Sequence, residues 1–262
     1  MIYFVGSGGS DYLDFIGDTS DDGTIWELLS KAKDIVPVFL GFVFYHIRDD
    51  SRTGKQMLRI AEALGMRCFN EGDLPAPAMD MGGGGSSALE ASRKKSLRRH
   101  ENFFRRNGRL EVQHATRETE ILPWLDLFFQ QHIDRWSSTD SPSLFCDDAN
   151  KSFYRQLATM GSKTGWLRFT RVSWNERPIA FHFGMCYHGR YLWYKPSFAI
   201  ELAKKSPGEV LIRQLLLAAM AEGATEFDLG VGDEPFKRRF ANRVQHVRTW
   251  GLYQGMEPER RK

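Results

Sequence analysis

The chain has 262 residues, 42% of them hydrophobic, 13% aromatic and 26% charged, with a formal net charge of +3. That length supports one large core or two small ones, and the charge is too weak by itself to define a nucleic-acid binder. Three scattered cysteines, Cys68, Cys146 and Cys186, argue against a disulfide framework or zinc site and fit a reducing cytoplasm; no apolar run approaches the ~20 residues of a membrane span, and Met1–Val5 lacks the basic start and apolar run of a signal peptide.

The first segment reads as α/β pieces. Ile35 to Ile47 is rich in β-formers, and its first part to Tyr45 predicts a buried strand. Thr53 to Leu64 carries Met57, Leu58, Ala61 and Leu64 at helical spacing, with Gly65 as a stop. Pro75-Ala76-Pro77 breaks the pattern, and the run Gly82 to Gly85 with Ser86-Ser87 predicts a linker. Ser87 to Asn107 is a basic helical stretch stopped by Gly108, and Leu110 to His114 a short strand. Glu118 to Ser137 predicts a helix, since Leu122, Leu125, Phe128, Phe129, His132 and Trp136 repeat every three or four residues. That stripe reads as core. A shorter helix spans Asn150 to Met160.

The period then changes. Trp166 to Trp174, Pro178 to Tyr187 and Arg190 to Phe198 predict three antiparallel strands, joined by turns at Asn175-Glu176 and His188-Gly189. A helix from Pro207 to Glu222 and a strand from Thr225 to Leu229 follow. A basic helical piece, Pro235 to Asn242, precedes a last strand, His246 to Tyr253.

The segment Lys204-Lys205-Ser206-Pro207-Gly208-Glu209 is the most informative short stretch. Ser206 suits an N-cap, Pro207 the first helical position, and Glu209 completes a capping box. A helix start with small residues offers amides and a positive dipole end to an anion, and Lys204 and Lys205 add charge beside it. The alternative is simply a well-capped helix.

Meander, turn, helix and strand in this order resemble the GCN5-related N-acetyltransferase (GNAT) fold. The resemblance implies that the turn entering this helix binds the pyrophosphate of coenzyme A, through a signature Arg/Gln-x-x-Gly-x-Gly/Ala. Aligned on Gly208, this chain has Ala203 at the first position and Ser206 at the first glycine. Four stretches bring the chain closer to the CelD-like and BioF2-like acetyltransferases and, beyond them, to FemAB-like aminoacyltransferases: Arg93 to Arg99, Arg177-Pro178-Ile179-Ala180, Ser206-Pro207-Gly208, and Phe227 to Lys237. Together they cover roughly 88–240. The fold class this implies is α/β (α+β): a mixed, mainly antiparallel sheet flanked by helices. The expected domains are a partial N-terminal GNAT-like half at 1–80, a Gly/Ser linker at 81–87, an acyltransferase domain at 88–254 and a polar tail at 255–262. Longer relatives imply that the first half is truncated here.

Acyl transfer from a thioester needs an aligned amine or hydroxyl, a base and donors for the oxyanion. In Tyr191 to Phe198, Pro196 cannot donate to a ladder, so the strand should bulge or splay there. The resemblance implies that this strand receives the pantetheine arm, with a backbone N–H near Tyr194 to Pro196 serving the carbonyl. Asp228 acts as a base, orients the substrate amine or, as a structural carboxylate, accepts nearby backbone N–H groups. His182, alternating with Phe181 and Phe183, is either a base titrating near neutrality or a structural histidine. Lys237 follows Gly230-Val231-Gly232, where the resemblance places a Tyr-Lys pair and this chain has Phe236-Lys237. It pairs with a phosphate, polarises a carbonyl or sits on a solvated basic face.

The candidate catalytic residues are therefore Asp228, Lys237 and His182, and the candidate donor-binding residues Tyr194, Lys204, Lys205, Ser206, Gly208 and Glu209, with no metal. The co-substrate implied is acetyl-CoA or another acyl-CoA. The acceptor implied is a polar or sugar-like amine, in polysaccharide or cell-envelope biosynthesis. Arg93 to Arg109 holds eight Lys/Arg around Phe103 and Phe104, which keeps open a tRNA-dependent aminoacyltransferase. A third reading is a non-catalytic interaction module. Oligomeric state is not legible.

Overall fold

The computed structural model describes residues 1–19, 21–137 and 139–255. In chain order the elements are β1 (Ile2–Tyr3), α1 (Asp22–Ile35), β2 (Gly41–Arg48), α2 (Arg52–Ala63), β3 (Met66–Asp80), α3 (Ser86–Ser92), α4 (Lys95–Arg106), β4 (Leu110–Ala115), α5 (Glu118–Ile121), α6 (Leu125–Trp136), α7 (Asp148–Thr164), β5 (Leu167–Trp174), β6 (Arg177–Tyr187), β7 (Arg190–Phe198), α8 (Pro207–Ala221), β8 (Glu226–Asp228), α9 (Pro235–Arg238) and β9 (Arg243–Gln254). They form two compact units. The first takes Met1–Pro77, Val231–Arg239 and the C-terminal strand; the second takes Ala78–Gly230 and Phe240–Asn242.

In the first unit β2 pairs in parallel with β1 and antiparallel with β9. Phe42, Phe44, Trp250 and Leu252 from these strands meet Ile25, Leu29, Met57 and Ile60 of α1 and α2 in one core. Each helix start is capped: Asp21 accepts from Gly23 and Ser51 from Gly54. The final strand, expected in the 88–254 domain, belongs here, because its apolar face completes the core that β2 begins. Ile35, Val38 and Leu40 are exposed, so the strand expected from Ile35 starts only at Gly41. The break expected at Pro75-Ala76-Pro77 lies instead within β3.

The second unit is built on an antiparallel meander, β4 to β7, with β8 parallel to β7 and the last residues of β3 beside β8. Positive φ at Asn175 and Glu176, and at His188 and Gly189, gives both hairpins the twist that matches their strands. The helix expected over Glu118 to Ser137 is interrupted at Leu122–Trp124, where Pro123 removes a donor. In α6, Leu125, Phe128, Phe129 and His132 are buried; with Tyr154 of α7 they cover Phe169, Phe181 and Phe183 on one sheet face. The other face is covered by α8 through Leu211, Leu215 and Leu216. Burial of each such side chain is worth roughly 1.5–3 kcal/mol.

The expected linker is a tight turn of this second unit. Gly83–Gly85 forms a 3-10 turn into α3, and Gly85, at φ 78°, is buried with Met220 against it. The basic stretch after it is two helices, α3 and α4, rather than one. The expected polar tail lies, from 256 on, outside the described residues.

Helices α3 and α4 are tied to α8 by one buried carboxylate. Glu101 accepts from Gln214 at 3.0 Å and from Arg105 at 2.8 Å, and it pairs with Arg213. Arg213 also donates to the Ser92 carbonyl at 2.9 Å. Removing one partner of such a pair strands the other. Glu101→Ala should therefore lower unfolding free energy by about 3 kcal/mol, read as a lower urea midpoint at unchanged slope.

Candidate active site

The site is organised by a bulge in β7. From Ala180↔Phe198 to Phe183↔Lys195 the β6–β7 ladder is regular, and it resumes at Met185↔Leu192. Gly184 alone thus faces Trp193 and Tyr194. A Cβ on Gly184 would lie 2.1 Å from His182 Cε1 and 2.4 Å from the Leu192 carbonyl oxygen, so glycine is required there. The freed Tyr194 N–H donates to His182 Nε2 at 3.3 Å.

Pairing with β8 stops at the same level. The last pair is Leu192↔Asp228, and Asp228 Oδ1 then accepts the Gly230 N–H at 2.8 Å, turning the chain away. Trp193 to Phe198 continues without β8 beside it. The splay expected at Pro196 therefore begins earlier, at the bulge; Pro196 itself stays in register with His182.

The start of α8 meets the far end of this open stretch. A Cβ on Gly208 would sit 3.3 Å from the Phe198 ring, so the two pack closely. Ser206 does not form the expected capping box. It adopts φ 55°, ψ 57°, joins the 3-10 turn Ile200–Lys205 to α8, and makes no side-chain cap. Its carbonyl accepts the Glu209 N–H at 3.0 Å, while the Glu209 carboxylate lies 3.7 Å from His100 Nε2. Lys204 and Lys205 are exposed, and Lys205 Nζ stands 4.6 Å from the Phe103 ring centroid. That contact joins the turn to a groove on α4 lined by Lys95, Arg98, Arg99, Asn102, Phe103 and Arg106.

Of the three catalytic candidates, His182 and Asp228 lie in the second unit and Lys237 in the first. His182 is fully buried on the α8 side of the sheet, stacked between Tyr191 and Trp193. Burial keeps its imidazole neutral, with the pKa pushed down to about 3. Asp228 is buried at the apex of the splay. Lys237 belongs to the first unit, where its ammonium binds the Val231 carbonyl at 2.7 Å and Glu234 at 2.8 Å. It braces the turn from Val231 to Glu234. Tyr194 is half-buried, parallel to Tyr154 at 6.4 Å.

Sequence reasoning missed a cleft between α6 and the open half of β7. His132 and Trp136, read as core, line it with Ser143, Lys195 and Pro196. His132 Nδ1 and Ser143 Oγ are 2.8 Å apart, and Ser143 Oγ also accepts the Phe145 N–H at 3.1 Å. Burial, then the charges of Arg135 and Lys195, push the His132 pKa down to about 3. A histidine inside an otherwise apolar stripe was the available signal.

The sequence profile of the acetyltransferase (GNAT) domain matches residues 91–238, more than half of the chain. The chain belongs to the GNAT-fold acyltransferase family. Among curated proteins none matches this GNAT chain in sequence. Solved structures share its fold at low identity. A conserved protein of unknown function from Bacteroides thetaiotaomicron is 13% identical, with a TM-score of 0.63 over 89% of this chain and 76% of that one. FemX is 12% identical, at 0.60 over 92% and 79%. The C-terminal domain of a protein named as lysylphosphatidylglycerol synthetase from Agrobacterium fabrum is 15% identical, at 0.58 over 92% and 75%. Among the described residues of the GNAT chain, no cluster of His, Cys, Asp or Glu is placed to hold a metal, and no helix is long and apolar enough to cross a membrane.

Two neutral imidazoles inside the GNAT domain set a pH dependence. Unfolded, His132 and His182 take up protons near pH 6.5; folded, they resist to about pH 3. The unfolded state binds more protons between those values, so stability is full above about pH 6.5 and falls as the pH drops toward 3. Urea midpoints measured from pH 7.5 to 4 should fall, and His132→Gln should flatten the slope.

Proposed function

We propose that this protein transfers an acyl group from acyl-CoA, acetyl-CoA being the simplest, to an amine of a polar or sugar-like acceptor. One observation carries the reading: the edge of β7 left open beyond Leu192↔Asp228 runs to Phe198, directly against Gly208 at the start of α8. An extended pantetheine arm can lie along this strand edge, although His182 takes the Tyr194 N–H and Arg135 the Pro196 carbonyl, and a diphosphate can meet the helix start, with Lys204 and Lys205 beside it. The bound donor supplies a thioester carbonyl and a thiol leaving group.

The chain's own residues then hold the geometry. Gly208 keeps the helix start close to Phe198, and Ser206 delivers the chain into it. His182 holds the Tyr194 amide and fixes the bulge, which makes it a positioning residue. Asp228 ends the neighbouring strand and keeps the edge open. An acceptor amine, entering neutral, forms the C–N bond as the C–S bond breaks; its extra proton passes to solvent or to the departing thiolate. The CelD-like resemblance of Arg93 to Arg99 and Phe227 to Lys237 supports an acceptor from polysaccharide or envelope synthesis, handled in the cytoplasm where acyl-CoA is made.

Calorimetry with acetyl-CoA tests this. Binding in roughly the micromolar to millimolar range is expected. Gly208→Glu, which sets a carboxylate against the phosphates, should weaken it about tenfold. Absence of heat at millimolar ligand from folded protein would sink the proposal.

A second reading has its own observation. The outer face of α4 presents Lys95, Arg98, Arg99 and Arg106 without a carboxylate in their groove, and Phe103 links it to Lys205. Such a face suits a nucleic-acid backbone, so an aminoacyl-tRNA is the alternative donor. In that case tRNA binding should weaken steeply with salt and vanish in Arg98→Glu/Arg99→Glu, as read by filter binding. Indifference to tRNA at low salt removes this reading.

A further inference from the structure

The cleft between α6 and the open half of β7 has a chemistry of its own. Trp136, Pro142, Leu144, Tyr194 and Pro196 give it flat, apolar walls, and its volume of about 260 Å³ suits a ligand of amino-acid size rather than drug size. Lys195 is its one ammonium. Lys195 Nζ lies 4.2 Å from the Tyr194 ring centroid and, among the described residues, has no carboxylate partner. No Asp or Glu lines the cleft. Arg135, whose guanidinium covers Phe198 at 4.5 Å and donates to the Pro196 carbonyl at 2.7 Å, adds a second positive charge nearby. The indole N–H of Trp136 is buried without a hydrogen-bond partner.

A half-buried cation beside apolar walls favours an anion delivered by a ligand. One ammonium among the lining residues suits a monoanion better than a phosphate dianion. His132, held neutral and joined to Ser143, forms a rigid floor and adds no competing charge. We propose that this cleft binds the acceptor, a small molecule bearing a carboxylate and a flat apolar group, with Lys195 holding the carboxylate and Trp136 and Tyr194 flanking the apolar part. The inference rests on the acyl-transfer reading and puts an amino-acid-like acceptor, with both an amine and a carboxylate, in place of its sugar-like one.

The test uses fluorine NMR on the full chain with ring-matched probes. 4-Fluorophenylacetate should broaden on adding protein, whereas 4-fluorophenethylamine, with the charge reversed, should not. Lys195→Gln should weaken the carboxylate about tenfold, and Lys195→Arg should retain it. Unchanged binding in folded Lys195→Gln, equal binding of the amine, or no binding of the carboxylate at ten millimolar overturns the proposal, as does tighter binding of 4-fluorophenyl phosphate. Acetyl-CoA calorimetry on the same samples separates the two ideas. If acetyl-CoA binds and the carboxylate does not, only this inference falls. If the carboxylate binds and acetyl-CoA does not, the cleft stands and the donor assignment falls.

Discussion

The hydrogen bond from the Tyr194 amide to the His182 imidazole is the contact on which the site's geometry depends. A β-bulge leaves one residue outside the ladder, and its amide then needs another partner. Here a buried side chain supplies it. Because Gly184 has no Cβ, the imidazole can occupy the space opposite the bulge. Because the imidazole is buried, it stays neutral and keeps a lone pair for the amide. The aromatic stack of Phe227, Tyr191, His182 and Trp193 fixes the ring in place. Each condition is set by residue type, and together they decide where β7 parts from β8.

That parting has to be held from a second direction, since an open strand edge invites closure or association. The start of α8 does this by packing Gly208 on Phe198. The helix is in turn anchored by α3 and α4 through Glu101 and Arg213. A buried ion pair contributes little net stability against apolar residues, but it selects one alignment of the helices it joins. Alignment is what the helix start needs, because it sets how closely Gly208 packs on the Phe198 ring, where a side chain at 208 would be crowded.

Much of the second unit was legible in the sequence. The period-two meander, its two turns and the apolar helix after Pro207 are local signals, and they fall within a residue or two of the observed bounds. The first unit was legible only in part. Its helix α2 is amphipathic with a serine cap, but α1 carries a weak pattern, and β3 contains two prolines and exposed residues. Neither announces itself without the strands it joins. The pairing of β2 with β9 is a contact between the two ends of the chain, which no local periodicity encodes. In the site, the glycine at 208 and the turn before it stood out. The roles of His182, Lys237 and His132 did not, because alternation gives the face a side chain takes and not what covers that face. His182 pointed away from Phe181 and Phe183 as read, yet that face is packed under α8.

The turn before α8 shows how a departure from a motif can keep the motif's geometry. The family pattern places a glycine where this chain has Ser206. Glycine at such a position reaches positive φ without penalty, whereas serine at φ 55° carries a cost of roughly 1–2 kcal/mol. The conformation nevertheless holds. The Ser206 N–H bonds the Ala203 carbonyl at 3.0 Å, its own carbonyl takes the Glu209 N–H, and Pro207 fixes the next φ. A left-handed residue between two helical turns redirects the chain within one residue, so the 3-10 turn can end on the α4 side while α8 begins against β7. A standard N-cap, extended at the same position, would keep Ser206's hydroxyl for the helix and lay the incoming chain at another angle. Substituting serine therefore changes the stability of the turn and leaves its direction intact, and direction is the property that brings Lys205, Gly208 and the open edge of β7 to one place.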